Sequence, residues 1–456
     1  MKTYDDTDVL VSRWLEATAP TREPEHLLGD VLRDVERTGR RPAWRIPERW
    51  FSMDTAARLR TVPRIAPIFV ALLLLLLLAV AAYVLVGSRP KLPPPIGPAD
   101  NGRIAYVSNG QLWLSGPDGS NAHPVTSSTL VEGVPLWSRN GTKVAFLAFD
   151  PATSGLEAVA SLIVADGTGG DPVTIVEGVK GMRYVDISPD STRIAFSYFA
   201  QDVSTTQKDR INIAPTDMSA KPMRVGANMS AFYPAFSPDG GRIAFVSDHY
   251  PDVCGSDDCV GKYSFGLHVM NADGTGVHVL AQAGIQPLMD TGVDRWAPVV
   301  DWSPDGTQIL FTGVEAPAYA DPGLYVVPAD GSSPPRRLDT GDGVAYGGSY
   351  SPAGDQIAYV RATREGWDAV VANADGSGAR VITNGISRFA PRWSPDGHSI
   401  AVVDPILGLT ATVRVIPVDG KGQAATIPIA LPAPADDDAA PTTFGIDQIS
   451  WQRLAP

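Results

Sequence analysis

The chain has 456 residues, with 44 glycines, 40 prolines and a hydrophobic content of 44%. That length allows more than one domain, and abundant Gly and Pro favour many turns and short strands over long helices. A formal charge of −13 argues against broad contact with nucleic acid, and two cysteines, Cys254 and Cys259, exclude a disulfide framework.

Residues 1–64 read as a small helical segment. "EPEHLLGDVLRDVERTG" from Glu23 places Leu27, Leu28, Val31, Leu32 and Val35 on one stripe of a 3.6-residue period. Pro24 suits its first turn and Gly39 its C-cap. In "RRPAWRIPERWF" that follows, Arg41, Trp44, Arg45, Arg49 and Trp50 have the composition of a belt on anionic lipid headgroups. A docking site for a cytoplasmic partner is the alternative.

Residues 65–86, "IAPIFVALLLLLLLAVAAYVLV", carry no charge. They are long enough to cross a hydrocarbon core of about 30 Å as a helix. A cleaved signal peptide would start nearer the N-terminus and have a core of about 7–15 residues, so a retained transmembrane helix is expected. Arginines 40, 41, 45, 49, 58, 60 and 64 outweigh the acids before it, which places the N-terminus in the cytoplasm. Residues 87–100, with "SRPKLPPPIGPAD", form a Pro-rich stalk that extends at roughly 3 Å per residue.

From residue 101 to 456 the chain repeats. An apolar-aromatic stub leads into Ser-Pro-Asp-Gly or a variant, then a run such as "RIAFVS", a variable gap, and a run such as "GLYVVPADGS". The marker serines 138, 188, 237, 303, 351 and 394 are about 43 to 66 residues apart. Units of this length with four short strands each are propeller blades. The first unit, at Gly102, lacks a stub, and "FGIDQISWQRL" from Phe444 supplies a stub with nothing after it. The C-terminal strand is therefore expected to complete the first blade. The fold class is all-β, a seven-bladed β-propeller of four-stranded blades (six being the alternative count). Closure of the ring removes unpaired sheet edges.

The repeated tetrapeptide is a hairpin device. Pro presets φ, Asp bonds nearby N–H groups and Gly supplies positive φ. Trp393-Ser394-Pro395-Asp396-Gly397 with Ile400-Ala401, and Phe236-Ser237-Pro238-Asp239-Gly240 with Ile243-Ala244-Phe245, resemble the TolB-like or WD40-like (PD40) β-propeller repeat. The resemblance covers about 350 residues and implies the fold far more than a function. Departures at Arg139-Asn140, Asp190-Ser191 and Ala353-Gly354 are expected to alter turn detail alone.

Chemistry is sparse. Gly-x-Ser-x-Gly, His-Glu-x-x-His and a Walker loop are all missing, so neither an enzyme nor a cofactor is expected. The six histidines are scattered, with His268 and His278 expected at the surface. "SDHYPDVCGSDDCVGKYSFG" from Ser247 is the distinctive insertion. Cys254 and Cys259 are read as a disulfide pinning the loop, with free thiols as the alternative. Asp248, His249, Tyr250, Asp252, Asp257 and Asp258 make it a candidate binding loop. Solvated acids are the bland reading, and a calcium site the weaker one. The two turn types should share one face of the ring and the variable segments the other, where ligands are read.

The expected function is a single-pass membrane protein displaying an extracytoplasmic propeller that binds a protein, peptide or glycan. The alternative is transmembrane signalling through cytoplasmic helices that hold a transcription regulator. A propeller enzyme ranks last.

Overall fold

The structure is a computed structural model. It describes Arg13 and residues 97–455, apart from 127–130, 151, 154–157, 183, 201–207, 227–229, 248–264, 282–284, 288–299, 316–321, 342, 388, 406–409 and 431–448. The chain divides into two compact units, Met1–Pro90 and Lys91–Pro456. In the first, Arg13 is helical and exposed. Residues 65–86, read above as a transmembrane helix, lie outside the described residues, as do 1–12, 14–64 and 87–96. No helix among the described residues is long and apolar enough to cross a membrane.

The second unit is seven antiparallel sheets. Blade 1 comprises β1 (Asp100–Ser108), β2 (Gln111–Ser115) and β3 (His123–Pro124). Blade 2 comprises β4 (Val131–Trp137), β5 (Lys143–Phe149), β6 (Val159–Asp166) and β7 (Val173–Lys180). Blade 3 comprises β8 (Tyr184–Ile187), β9 (Arg193–Ala200), β10 (Lys208–Pro215) and β11 (Met223–Val225). Blade 4 comprises β12 (Ala231–Phe236), β13 (Arg242–Ser247), β14 (Gly266–Asn271) and β15 (His278–Ala281). In blade 5 the inner strand is split into β16 (Ile285–Pro287) and β17 (Val300–Trp302), both paired with β18 (Gln308–Glu315), ahead of β19 (Gly323–Pro328) and β20 (Arg336–Arg337). Blade 6 comprises β21 (Val344–Tyr350), β22 (Gln356–Thr363), β23 (Gly366–Asn373) and β24 (Arg380–Ile386). Blade 7 comprises β25 (Arg392–Trp393), β26 (Ser399–Val403), β27 (Thr410–Pro417) and β28 (Ala425–Ala430).

The last strand, β29 (Ser450–Leu454), pairs with β1 through Asp100↔Leu454 and Ala105↔Ser450. It becomes the inner strand of blade 1 and closes the ring as the sequence implies. Seven blades, and not six, result.

The Ser-Pro-Asp-Gly segments are hairpins between the first and second strands. At Ser237 the backbone N–H bonds to Arg242 O (2.9 Å), and Gly240 N–H closes the turn on Ser237 O (2.8 Å). The Ser237 hydroxyl donates to Asp239 Oδ1 (2.5 Å) and accepts from Arg242 N–H (2.9 Å). Asp239 Oδ1 also accepts from Gly241 N–H (3.0 Å). The Ser303 and Ser394 turns repeat this pattern. The departures substitute for its parts. Asn140 replaces Asp as acceptor for Ser138 Oγ (3.0 Å), and Ser351 donates to Asp355, four residues on where the regular turns use the acid two residues on (2.9 Å). Ser191 takes the glycine position with φ 62°.

Among the described residues the core is seven apolar clusters, one at each blade–blade interface. Between blades 4 and 5, Ala244, Val246 and Val269 meet Trp302 and Phe311. Between blades 7 and 1, Ala401, Val403 and Val413 meet Ile104, Tyr106 and Trp451. Each second strand is covered on both faces by neighbouring blades. That is why "RIAFV" is a continuous apolar run, where a strand with one wet face would alternate.

The turn between first and second strands and the turn between third and fourth strands lie at the same end of each antiparallel blade. The variable segments leave from the opposite end. The chain enters the propeller at the turn end, where Ala99 N–H bonds to Pro395 O (2.9 Å) and Asn101 Nδ2 to Asp396 Oδ2 (2.8 Å).

Candidate functional site

The sequence-predicted binding loop falls outside the described residues. Cys254, Cys259, Asp248, His249, Tyr250, Asp252, Asp257 and Asp258 all belong to the segment 248–264. Its base is described: Ser247 pairs with Gly266 across β13 and β14, and Phe265 meets Phe232 edge-on at 6.2 Å. The loop therefore leaves blade 4 at the end opposite the turns. Arg41, Trp44, Arg45, Arg49 and Trp50 also lie outside the described residues.

His268 corrects a sequence expectation. It is 1% exposed, not a surface residue; its ring stacks on Phe245 at 5.3 Å, and Nδ1 lies 2.9 Å from Gly266 O. The reason is the two-sided burial of β14, which encloses alternate residues on both faces. His278, at the start of outer strand β15, is exposed as expected.

The residues that sequence reading did not pick out are those of the central channel. Inner strands from all seven blades line a cavity of about 350 Å³. The position two residues before each marker serine, or its counterpart in β29, faces it: Leu136, Asp186, Ala235, Asp301, Ser349, Arg392 and Ser450. Arg139 and Arg453 add two more guanidinium groups. The following residue of each inner strand points the other way, into a blade interface, by the two-residue alternation of a strand. The tryptophans at that position reach back: Trp302 Nε1–H donates to Ala235 O (3.0 Å) and Trp393 Nε1–H to Ser349 O (3.2 Å).

Channel side chains also join blades. Asp186 Oδ2 accepts from Phe236 N–H (2.6 Å) and Oδ1 from Ile187 N–H (3.0 Å). Asp301 Oδ2 accepts from Tyr350 N–H (2.7 Å), and Ser450 Oγ from Trp137 N–H (2.8 Å). Asp186 and Asp301 keep some surface open to the channel, yet protein encloses them. Burial pushes the Asp186 carboxyl up to about 6, against the opposing influence of Arg139 and its two N–H donors. Burial raises Asp301 as well, opposed first by the Tyr350 N–H and then by Arg139 and Arg392. Arg453, whose Nη2 donates to Gly97 O (2.6 Å), is pushed down to about 10 by burial and then by the neighbouring Arg139, and it stays charged.

By contrast, the turn carboxylates Asp239 and Asp305 sit below the ordinary range. The hydroxyls of Ser237 and Ser303, and then the N–H groups of Gly241 and Thr307, stabilise their charged forms. Among the described residues no group of three or more His, Cys, Asp or Glu is placed to hold a metal ion. Among the described residues the lining contains no His or Cys, and its charged groups are carboxylates and guanidinium groups.

Residues 153–427 match the model of the TolB beta propeller domain family, PD40. The chain belongs to this family. An uncharacterised protein of Agrobacterium fabrum is 25% identical to the TolB-like chain over 232 residues, covering 48% of it and 68% of the relative. TolB from Acinetobacter baumannii is similar with a TM-score of 0.45 and 16% identity, over 78% of this chain and 81% of that one. The β-propeller domain of the Trilobed protease from Pyrococcus furiosus is similar with a TM-score of 0.50 and 13% identity, over 75% of this chain and 98% of that one. That likeness shows the fold. The Pyrococcus propeller is described by an open velcro topology, whereas here β29 pairs with β1 and the ring is closed.

Proposed function

We propose that the chain is a single-pass membrane protein with a cytoplasmic N-terminus, displaying its TolB-like propeller outside the membrane as a non-enzymatic binding module for a protein or peptide. The observation that carries this reading is where the repeat spends its polar groups. The turn serines, with Asp or its substitute, are bonded within their own hairpins, and Asn140 and Asp396 in addition join neighbouring parts of the ring. Recognition then falls to the parts that do not repeat, the charged channel and the segments at the end opposite the turns. The chain enters the propeller at the turn end, and the strands flanking the variable segments carry those segments off at the opposite end. The uncharged stretch 65–86 and the arginine-rich flank before it support the anchor and its orientation.

Crosslinking on intact cells tests this reading. A photoreactive residue at position 252 or 257 should capture a discrete partner, and deletion of residues 250–262 should abolish the capture. External protease should cleave the propeller and spare a tag at the N-terminus. Protection of the propeller would sink the topology. A transcription regulator recovered with residues 1–64 would instead mark a transmembrane signalling protein.

A further inference from the structure

We propose that the central channel is a binding site for a carboxylate bearing a small apolar or aromatic group. The proposal rests on the binding-module reading and assigns a ligand chemistry to one part of that module.

Charge is the first reason. Among the described residues, Arg139, Arg392 and Arg453 line one cavity with two carboxylates, Asp186 and Asp301. Both carboxylates are already engaged by backbone N–H groups of their own or the next inner strand. The described lining therefore keeps a surplus of positive charge within a wall of low polarisability, where an anion is attracted far more strongly than in water.

Arg139 is the second. Its side chain lines the cavity and its charge is felt by Asp186 and Asp301, yet its guanidinium makes no hydrogen bond or ion pair among the described residues. Five N–H donors in a planar fork match the two oxygens of a carboxylate. Arg139 occupies the turn position where the repeat has proline in Ser188-Pro189, Ser237-Pro238 and Ser303-Pro304. The substitution points a guanidinium into the channel from a position that elsewhere in the ring packs apolar atoms against the next blade's turn.

The wall is the third. Leu136, Val185, Ala235 and the prolines beside them give the lining its apolar surface, and Trp393 and Trp451 border it from the blade interfaces. The volume of about 350 Å³ is at the lower end for a ligand pocket. It suits a phenyl-sized group and one carboxylate. Either a free small acid or the C-terminal residue of a polypeptide presents that chemistry.

The test is a calorimetric titration of the full-length chain in mild detergent with 3-phenylpropionate, N-acetyl-phenylalanine and the amides of both. At least one acid should bind and its amide should not, because the amide removes the charge and keeps the shape. Tighter binding of N-acetyl-phenylalanine identifies a polypeptide C-terminus as the source, and tighter binding of 3-phenylpropionate a free acid. Arg139→Gln should weaken the acid at least about tenfold, the scale of a lost charge-assisted bond. No binding of either acid at about 10 mM, equal binding of acids and amides, or an unchanged affinity in a folded Arg139→Gln protein would overturn the proposal. The acid–amide comparison uses the wild-type chain, so it stands even if the variant misfolds. Capture of a partner on cells reads the binding module independently of this result.

Discussion

At the scale of single residues, the alanine of each "IAF" segment is the clearest packing device. Ala244 shares a cluster with Trp302, Ala358 with Trp393, Ala401 with Trp451 and Ala105 with Trp137. The small side chain leaves room for the next blade's inner aromatic. Arginine at the start of the same strand fastens the seam: Arg242 Nη2 donates to Gly306 O (2.9 Å) while its guanidinium lies 5.0 Å from the Trp302 ring centroid. Ala401→Leu should overpack the seam and cost about 1–3 kcal/mol in urea unfolding. Gly141 makes a sharper case. Its φ is +68°, and a Cβ there would stand 2.0 Å from Arg453 O of the closing strand. Gly420 has φ +72° with nothing within 4 Å of that Cβ. Gly141→Ala should therefore lower the melting temperature by several degrees more than Gly420→Ala, which carries only the backbone penalty of about 1–2 kcal/mol. Equal shifts would show that Gly141 does not abut β29.

Asp186 belongs to the same scale. Its folded-state pKa, about 6, lies above the ordinary 3.8. Its favourable contribution is thus fully present below about pH 3.8 and is lost as the pH rises through about 6. At neutral pH the ionised group is a net burden on the fold. Asp186→Asn keeps an acceptor for Phe236 N–H and removes the charge. Melting curves should show the variant more stable than wild type at pH 7.5, by about 1 kcal/mol, with the advantage shrinking toward pH 4. A variant that is less stable at pH 7.5 would refute this.

At the scale of elements, the closing strand decides whether there is a ring at all. Trp451 is 8% exposed in the seam between blades 7 and 1, whereas Leu454 is 42% exposed. Trp451→Ala should cost about 3–5 kcal/mol, and Leu454→Ala close to nothing. Hydrogen exchange should then rise first in β1 and β29, because both inner pairings of blade 1 depend on this strand. The inner strand of blade 5 is the irregular element. Blades 2, 4 and 6 carry a register shift in theirs, at Gly133/Leu136, Phe232/Ala235 and Tyr346/Ser349. In blade 5 residues 288–299 separate β16 from β17, the two pieces that pair with β18. A bulge tolerates an inserted residue because the ladder is already interrupted there.

At the scale of the whole molecule, the proposed recognition loop is a part that the repeated framework does not need. Seven seams hold the ring among the described residues, and where the repeat departs, Asn140 and Asp355 keep the turn's acceptor and Ser191 keeps its positive φ. Deleting residues 250–262 should leave the melting temperature within a few degrees of wild type, since β13 and β14 stay paired through Ser247↔Gly266. The same deletion should abolish crosslinked partner capture. A large loss of stability would place the loop in the framework instead.

The blade count, the order of strands, the closure by the C-terminus and the two ends of the ring were legible in the sequence. Turn chemistry and strand alternation are local, and a repeat displays them many times. The channel was not legible. Asp186, Asp301, Arg392 and Arg453 come from four blades and are separated by tens to hundreds of residues; only ring closure brings them around one cavity. A faint signal was present, a charged residue two places before a marker serine in an otherwise apolar stub. Burial on both faces of β14 likewise reversed the expectation for His268, because strand position alone does not say whether a second sheet covers it. Backbone geometry is set within a few residues, and the sequence alone determined the propeller from it. Charge density and desolvation are set by residues distant along the chain, so only the closed tertiary structure decided which charged groups share one cavity.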